Sequence, residues 1–130
     1  MKNLGLLLLI IFSLTTCKKD NISSYSSQLI GKWSWIETCP GIGNNGCWTP
    51  GSIHQAYDIV FDLDSTYNLF HLDTLKSSLK FHTFKYLPDS TYFIKFETGS
   101  IDRYLISHDT LYMTNSEGIL SITSSYKRIK

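Results

Sequence analysis

Apolar and polar side chains alternate with a period of two along most of the chain after Gln28. Clear examples are the runs that carry Tyr57, Ile59 and Phe61 and, further on, Tyr92 and Phe96 at alternate positions. Successive side chains of a β-strand point to opposite faces, so the pattern predicts strands with one buried face. We count eight such runs of roughly six to ten residues each and predict no helix.

Short turn-forming segments separate these runs, for example Leu63-Asp64-Ser65. Short links force consecutive strands to be antiparallel neighbours. Eight strands that share one aromatic-rich face can bury it, and remove their free edges, by closing on themselves. The sequence therefore predicts an all-β fold, an eight-stranded antiparallel up-and-down barrel.

One run is irregular. Leu79 and Phe81 share one parity, whereas Phe84 and Tyr86 share the other. A bulge adds one residue to a strand and exchanges its faces. We therefore expect a bulge near residues 82–83, with Phe84 inside the barrel.

Composition limits the class of protein. The chain has 130 residues, which is one domain by length, with 42% hydrophobic and 18% charged residues, which can support a packed core. The formal charge of +1 gives no basic face for nucleic acid, so no nucleic-acid partner is expected.

The N-terminus has the pattern of an export signal. Lys2 precedes an apolar run over residues 4–12, too short to span a bilayer, and Leu14-Thr15-Thr16-Cys17 follows. Residues 14–17 resemble a bacterial lipobox. The resemblance implies that residues 1–16 are a cleaved signal peptide and that Cys17 is acylated. The alternative is an ordinary signal peptide with a chance cysteine.

An acylated Cys17 would anchor the protein to the lipid bilayer of the cell envelope, and we expect the outer membrane, at either its periplasmic or its surface face. Residues 17–27 are polar and serine-rich, as in a flexible tether. The barrel domain then covers residues 28–130.

With Cys17 lipidated, Cys39 and Cys47 remain as a pair in an oxidising compartment, so we expect a disulfide between them. The bridge either shapes a loop at the rim of the barrel or simply staples the long loop over residues 38–52. A metal site would need more ligands than the nearby His54, and none is expected.

Several short motifs together resemble lipocalins, and more closely lipocalin-like lipoproteins of the Bacteroidetes type. They are Leu29-x-Gly31-x-Trp33, Phe61 with Asp64-Ser65-Thr66-Tyr67, Tyr104-Leu105-Ile106, Asp109-Thr110-Leu111 and Tyr126-Lys127-Arg128-Ile129. The resemblance implies a barrel base formed by Gly31, Trp33 and Arg128, with the guanidinium over the indole face. It also implies a ligand inside the barrel.

By parity, nine aromatic rings should converge inside: Trp33, Trp35, Tyr57, Phe61, Tyr67, Phe84, Tyr92, Phe96 and Tyr104. They either line a pocket or fill the interior. The candidate ligand-binding residues are Trp35, Trp48, Tyr57, Tyr67, His71, Tyr92 and Tyr104. Trp48 belongs to the disulfide loop and has no predicted core partner.

No arrangement of residues indicates catalysis. The chain contains no Gly-x-Ser-x-Gly, its four histidines are scattered, and neither an enzymatic reaction nor a cofactor is expected. The leading hypothesis is a membrane-anchored barrel that binds a small apolar or amphipathic molecule in or at its mouth. The alternative is a filled barrel whose loops bind or inhibit another protein, for example one of the envelope.

Overall fold

The computed structural model describes residues 24–41, 46–115 and 121–130. The predicted signal peptide, Cys17 and most of the tether lie outside these residues. The elements are α1 Ser24–Ser27, β1 Gly31–Pro40, α2 Pro50–Ile53, β2 Tyr57–Phe61, β3 Thr66–His71, β4 Thr74–Tyr86, β5 Thr91–Phe96, β6 Ile101–Ser107, β7 Thr110–Asn115 and β8 Ile122–Arg128.

The eight strands form one closed antiparallel barrel. Each strand pairs with its neighbour in sequence, and β8 pairs with β1 to complete the ring. The predicted fold class is therefore confirmed. We call the end where β1 begins and β8 finishes the base, and the opposite end, which carries the disulfide loop, the open end. Among the described residues, no helix has the length and apolar character needed to cross a membrane.

Three local predictions were wrong. Two one-turn helices are present where none was expected, and α1 occupies the last four residues of the predicted tether. The long loop starts later, because β1 continues to Pro40 through a register shift between Trp35 and Glu37.

The predicted bulge in β4 is also misplaced. β4 pairs in continuous register with β5 from Phe81 to Tyr86, and its register shift lies earlier, opposite Leu69 and Phe70 of β3. Phe84 therefore faces outward, where its ring stacks on Phe93 with centroids 5.3 Å apart. The apolar residue at position 84, which the sequence pattern showed as a change of parity, is explained by this cross-strand aromatic pair on the outer face.

The core occupies the middle and the base of the barrel. Its inward-facing side chains come from nearly every strand, and Trp33 and Phe61 are the largest that are fully buried. Leu29, which precedes β1, is fully buried as well. The segment before the first strand is therefore part of the core.

Residues 28–30 cross the base of the barrel and close it, and we call them the strap. Trp33 Nε1 donates a hydrogen bond of 2.8 Å to the carbonyl oxygen of Leu29. Arg128 donates to the carbonyl oxygens of Gln28 and Ile30, the latter at 3.0 Å, and its guanidinium carbon lies 4.0 Å from the centroid of the Trp33 ring. A cation over an indole is attracted by the ring's electron density, so the two side chains hold each other and the strap.

The helix α1, just before the strap, contacts the far wall of the barrel. The Ser26 and Thr83 hydroxyls are 2.7 Å apart, and Thr83 belongs to β4, which lies across the barrel from β1. Gly31 starts β1 at a φ of 129°, and a Cβ there would lie 3.3 Å from Arg128 Nη1. Both the backbone conformation and the approach of the arginine therefore favour glycine at this position.

Replacement of Trp33 by alanine should lower the free energy of unfolding by about 3–5 kcal/mol, because it leaves a cavity in the core and removes a partner of the strap. Chemical denaturation measures this value. Trp48→Ala is the matched control, since Trp48 is 45% exposed and should cost far less. Equal unfolding midpoints for the two variants would contradict the assignment of Trp33 to the core.

A cross-strand ion pair predicts a pH dependence of stability. Lys32 Nζ lies 2.7 Å from Asp58, which also accepts a hydrogen bond of 2.5 Å from Ser34. Partial burial raises the pKa of Asp58, but the hydrogen bonds from Lys32 and Ser34, with the lysine charge, outweigh it and hold the pKa below its usual value.

Asp58→Asn should therefore cost roughly 0.3–1 kcal/mol at neutral pH, a value limited by solvent screening. A carboxyl with a lowered pKa contributes stability that is complete above about pH 4 and is lost as the pH falls through its folded-state pKa. The free-energy difference between wild type and variant, measured by urea denaturation from pH 7 to pH 2.5, should shrink over that acidic range. A constant difference would show that the carboxylate charge contributes nothing.

Candidate functional site

The open end of the barrel contains two neighbouring pockets, which we call the two lobes of the cavity. The mouth lobe, about 380 Å³, lies under the disulfide loop and is lined by Trp35, Thr38, Trp48, Ile53, Gln55, Tyr57, Tyr67, Leu69 and Tyr126. The inner lobe, about 360 Å³, is lined by Tyr67, Leu79, Phe96, Ser100, Asp102, Met113, Asn115, Ile122, Ser124 and Tyr126. Tyr67 and Tyr126 line both lobes, so these two rings lie between them.

All eight strands contribute a side chain to one lobe or the other. The cavity is thus a property of the closed barrel, and no single hairpin could form it. Its walls are mainly aromatic and aliphatic, with a few hydroxyl, amide and carboxylate groups. This is the usual composition of a small-molecule pocket.

The rim of the mouth lobe is built on the predicted disulfide, which is confirmed between Cys39 and Cys47. Next to it, Thr38 and Trp48 exchange two backbone hydrogen bonds of 2.8 Å each. α2 follows at once and is held by a capping box between Thr49 and Ser52. These bonds hold Trp48 and Ile53 at the rim. The backbone of Trp48 is paired with β1, and Ile53 belongs to the helical turn that follows directly.

A chain of polar contacts crosses the β1–β8 seam in the wall of the cavity. Trp35 Nε1 donates to Thr38 Oγ1 at 2.9 Å, and the Thr38 and Ser124 hydroxyls are 2.8 Å apart. The register shift after Trp35 makes this possible, because it turns Thr38 to the same face as the indole. The indole of Trp35 is therefore oriented by a hydrogen bond as well as by packing.

The two tyrosines between the lobes are partly buried, and both are neutral at neutral pH. Burial raises the pKa of Tyr67 far above its ordinary value, and the neighbouring Tyr126 and Asp102 add to the rise. Burial raises the pKa of Tyr126 too, against a hydrogen bond with Ser124 and with a further contribution from Asp102. Both hydroxyls hence keep their protons at neutral pH and remain able to donate hydrogen bonds inside an apolar cavity.

Four of the predicted ligand-binding residues lie together in the mouth lobe, namely Trp35, Trp48, Tyr57 and Tyr67. His71 faces inward beside them and packs on Tyr57 with ring centroids 4.9 Å apart. Its Nε2 is buried and has no hydrogen-bond partner among the described residues. His71 supports Tyr57 and does not line either lobe.

Tyr92 and Tyr104, the remaining candidate ligand-binding residues, lie outside the two lobes. Both lie towards the base, where their rings pack against each other with centroids 5.8 Å apart. They line a separate depression that shares no residue with the two lobes. Parity predicts which face of a strand a side chain occupies, but not its height along the barrel axis.

Sequence reasoning missed Tyr126, Asp102, Thr38 and Leu69 as cavity residues. Asp102 has the inward parity of Tyr104, so the signal for it was present in the alternation. Thr38 could not be found in this way, because it was expected in the long loop and the register shift in β1 gives it a face that alternation from Trp35 does not predict.

The barrel-base residues Gly31, Trp33 and Arg128 lie together at the end opposite the cavity. In the described part of the chain, one group of three potential metal ligands comes close together, formed by Glu37, Cys39 and Cys47. The two cysteine sulphurs are bonded to each other, so they are not thiolate ligands. The cluster is part of the rim.

Comparison of this chain with models of protein families, with curated proteins and with solved structures finds no match.

Replacement of both Cys39 and Cys47 by serine should lower the free energy of unfolding by about 2–3 kcal/mol, as expected for release of so short a loop. The circular dichroism spectrum of the barrel should persist, because the disulfide joins residues of the rim and none of the core. Urea denaturation measures the change, and the wild-type protein under reductant provides the control. Loss of the barrel on reduction would show that the disulfide is needed for folding itself.

Proposed function

We propose that this protein is a lipid-anchored, lipocalin-like binding protein that holds a small apolar or amphipathic molecule in the open end of its barrel. The observation that carries the proposal is the aromatic-walled cavity, closed at the base by the strap and accessible at the other end. Each lobe falls within the size range of known ligand pockets, about 300–1,000 Å³.

The chemistry of the walls supports an amphipathic ligand. Trp35, Tyr57 and Leu69 offer apolar surface in the mouth lobe, which favours transfer of an apolar group out of water. Tyr67 and Tyr126 add hydroxyl donors where the lobes meet. A molecule with an apolar body and one polar group can satisfy both.

The direction of the chain supports anchoring by the closed end. The described chain starts with α1 at the base, whereas the cavity opens at the opposite end. An acyl group on Cys17, a few residues before α1, would therefore attach the barrel by its base. The mouth would then be free to exchange its ligand with the surrounding compartment.

A second candidate is an interaction module that binds another envelope protein, or inhibits one, through its loops. It is favoured by the exposed apolar side chains of Trp48, Ile53 and Leu72 at the open end. Tryptophan, the residue type of Trp48, is enriched among the residues that contribute most to protein–protein binding. The aromatic cavity beneath them is better explained by a small ligand.

Native mass spectrometry of the protein, purified without detergent, tests the proposal. A chain that starts at Lys18 is suitable, because it avoids the lipid and keeps every core residue, the strap and α1. We expect a retained small molecule that is reduced or lost in Tyr67→Ala. Tyr92→Ala, which changes a partly buried tyrosine outside the cavity, is the matched control and should keep it.

An empty protein whose tryptophan fluorescence does not respond to a panel of apolar and amphipathic molecules would contradict the proposal. That result would favour the interaction module. A molecule retained equally by the two tyrosine variants would place the binding site elsewhere.

A further inference from the structure

Tyr67, which lies between the two lobes, has a hydroxyl that the barrel does not use. Its ring is held by packing, since its centroid lies 5.3 Å from that of Phe61 and 5.1 Å from that of Phe96. Its hydroxyl makes no hydrogen bond within the described part of the chain. The O–H donor of Tyr67 is therefore available to a ligand.

Tyr126, the other tyrosine between the lobes, ends a directional chain of hydrogen bonds. Burial raises the pKa of Tyr126, and the hydrogen bond with Ser124 counteracts the rise, as expected when the phenol oxygen accepts the serine proton. A serine hydroxyl has one proton to donate, so in the 2.8 Å contact between Thr38 and Ser124 the threonine is the donor. Thr38 accepts in turn from the indole N–H of Trp35 at 2.9 Å. The chain thus runs from Trp35 to Tyr126 and leaves the proton of Tyr126 unused.

The two unused donors act on the same space. Both tyrosines line both lobes, and Tyr126 adds to the rise that burial causes in the pKa of Tyr67, so each hydroxyl lies within range of the other's charge. Hydrogen bonds along a chain polarise one another, which strengthens the donor at the end of the chain. A carbonyl oxygen has two lone pairs and can accept from both hydroxyls.

Other polar groups of the lining are already engaged. In the mouth lobe Tyr57 donates a hydrogen bond to Gln55. In the inner lobe Asp102 and Asn115 each have an interaction partner. The described lining of the two lobes contains no Lys, Arg or His that would neutralise a carboxylate or a phosphate of a ligand. The two tyrosine donors therefore favour an acceptor without charge.

The position of the donors indicates where in the ligand the acceptor lies. The two rings lie between the lobes, and each lobe offers apolar surface beyond them, such as Leu69 in the mouth lobe and Leu79 in the inner lobe. A fatty acid or a fatty amine has its polar group at one end, and it would place methylene groups opposite the two hydroxyls. A molecule with a central acceptor and an apolar group on each side matches both lobes at once.

We propose that the ligand is an uncharged ketone or ester whose carbonyl oxygen accepts hydrogen bonds from Tyr67 and Tyr126, with one apolar group in each lobe. This inference rests on the proposed function and names its ligand class. The two tyrosines then determine which ligands are selected, whereas Leu69 and Leu79 supply apolar contact alone.

Three unbranched compounds of equal chain length test the inference: 6-undecanone, 2-undecanone and undecanoate, which carry a central carbonyl, a carbonyl near one end and a terminal carboxylate. Isothermal calorimetry on the chain that starts at Lys18 gives the three affinities. We expect 6-undecanone to bind about fivefold more tightly than 2-undecanone, as for one neutral hydrogen bond, because only the central carbonyl reaches the donors while both lobes are filled. Undecanoate should bind most weakly.

Tyr67→Phe and Tyr126→Phe should each lower the affinity for 6-undecanone about fivefold, because each keeps the ring and removes one donor. Tyr92→Phe is the matched control, since it removes the hydroxyl of a tyrosine outside the cavity, and it should keep the wild-type affinity. The infrared C=O stretch of the bound ketone should also move to higher frequency in the first two variants, an effect that a merely structural role of the hydroxyls would not produce. If a variant does not fold, the order of the three affinities in the wild-type protein decides the question alone.

Tighter binding of undecanoate than of either ketone would overturn the carbonyl inference and leave the binding function intact. Equal binding of the two ketones, or an affinity for 6-undecanone that neither tyrosine variant changes, would do the same. Failure of all three compounds to bind would also overturn the inference. The proposed function would fall with it only if the wider panel of apolar and amphipathic molecules gave no response either.

Discussion

The contact between Arg128 and Trp33 determines which end of the barrel is available. The guanidinium lies on the indole, and the two side chains donate hydrogen bonds to the backbone of residues 28–30. These bonds hold the strap across the base, where Leu29 becomes fully buried. An up-and-down barrel has two ends, and this contact closes one of them.

The aromatic residues divide into two groups as a consequence. Near the closed end and in the middle, Trp33, Phe61 and Tyr104 are buried in the core. Near the open end, Trp35 and Tyr57 line a cavity, and the disulfide loop holds Trp48 at its rim. Both interpretations of the aromatic rings are therefore correct, each for one half of the barrel.

Alternation along the sequence was sufficient for the fold, because a period of two in eight runs with short links leaves few arrangements that bury one face. It was insufficient for the site. Thr38 was expected in a loop but belongs to β1, and Phe84 faces outward instead of inward, since the register shifts in β1 and β4 occur at positions that no residue type marks. Tyr92 faces inward as expected but lies too near the base, because height in the barrel depends on strand stagger.

The central claim is that the open end binds a small molecule while the base does not, and the three tryptophans report on it directly. In an isotope-labelled sample each indole N–H gives its own nuclear magnetic resonance signal, which single Trp→Phe variants assign. On titration with a panel of small apolar and amphipathic molecules, the account predicts that at least one of them shifts the signals of Trp35 and Trp48 in a saturable way and leaves the signal of Trp33 in place. A saturable shift at Trp33 with none at Trp35 and Trp48 would contradict it.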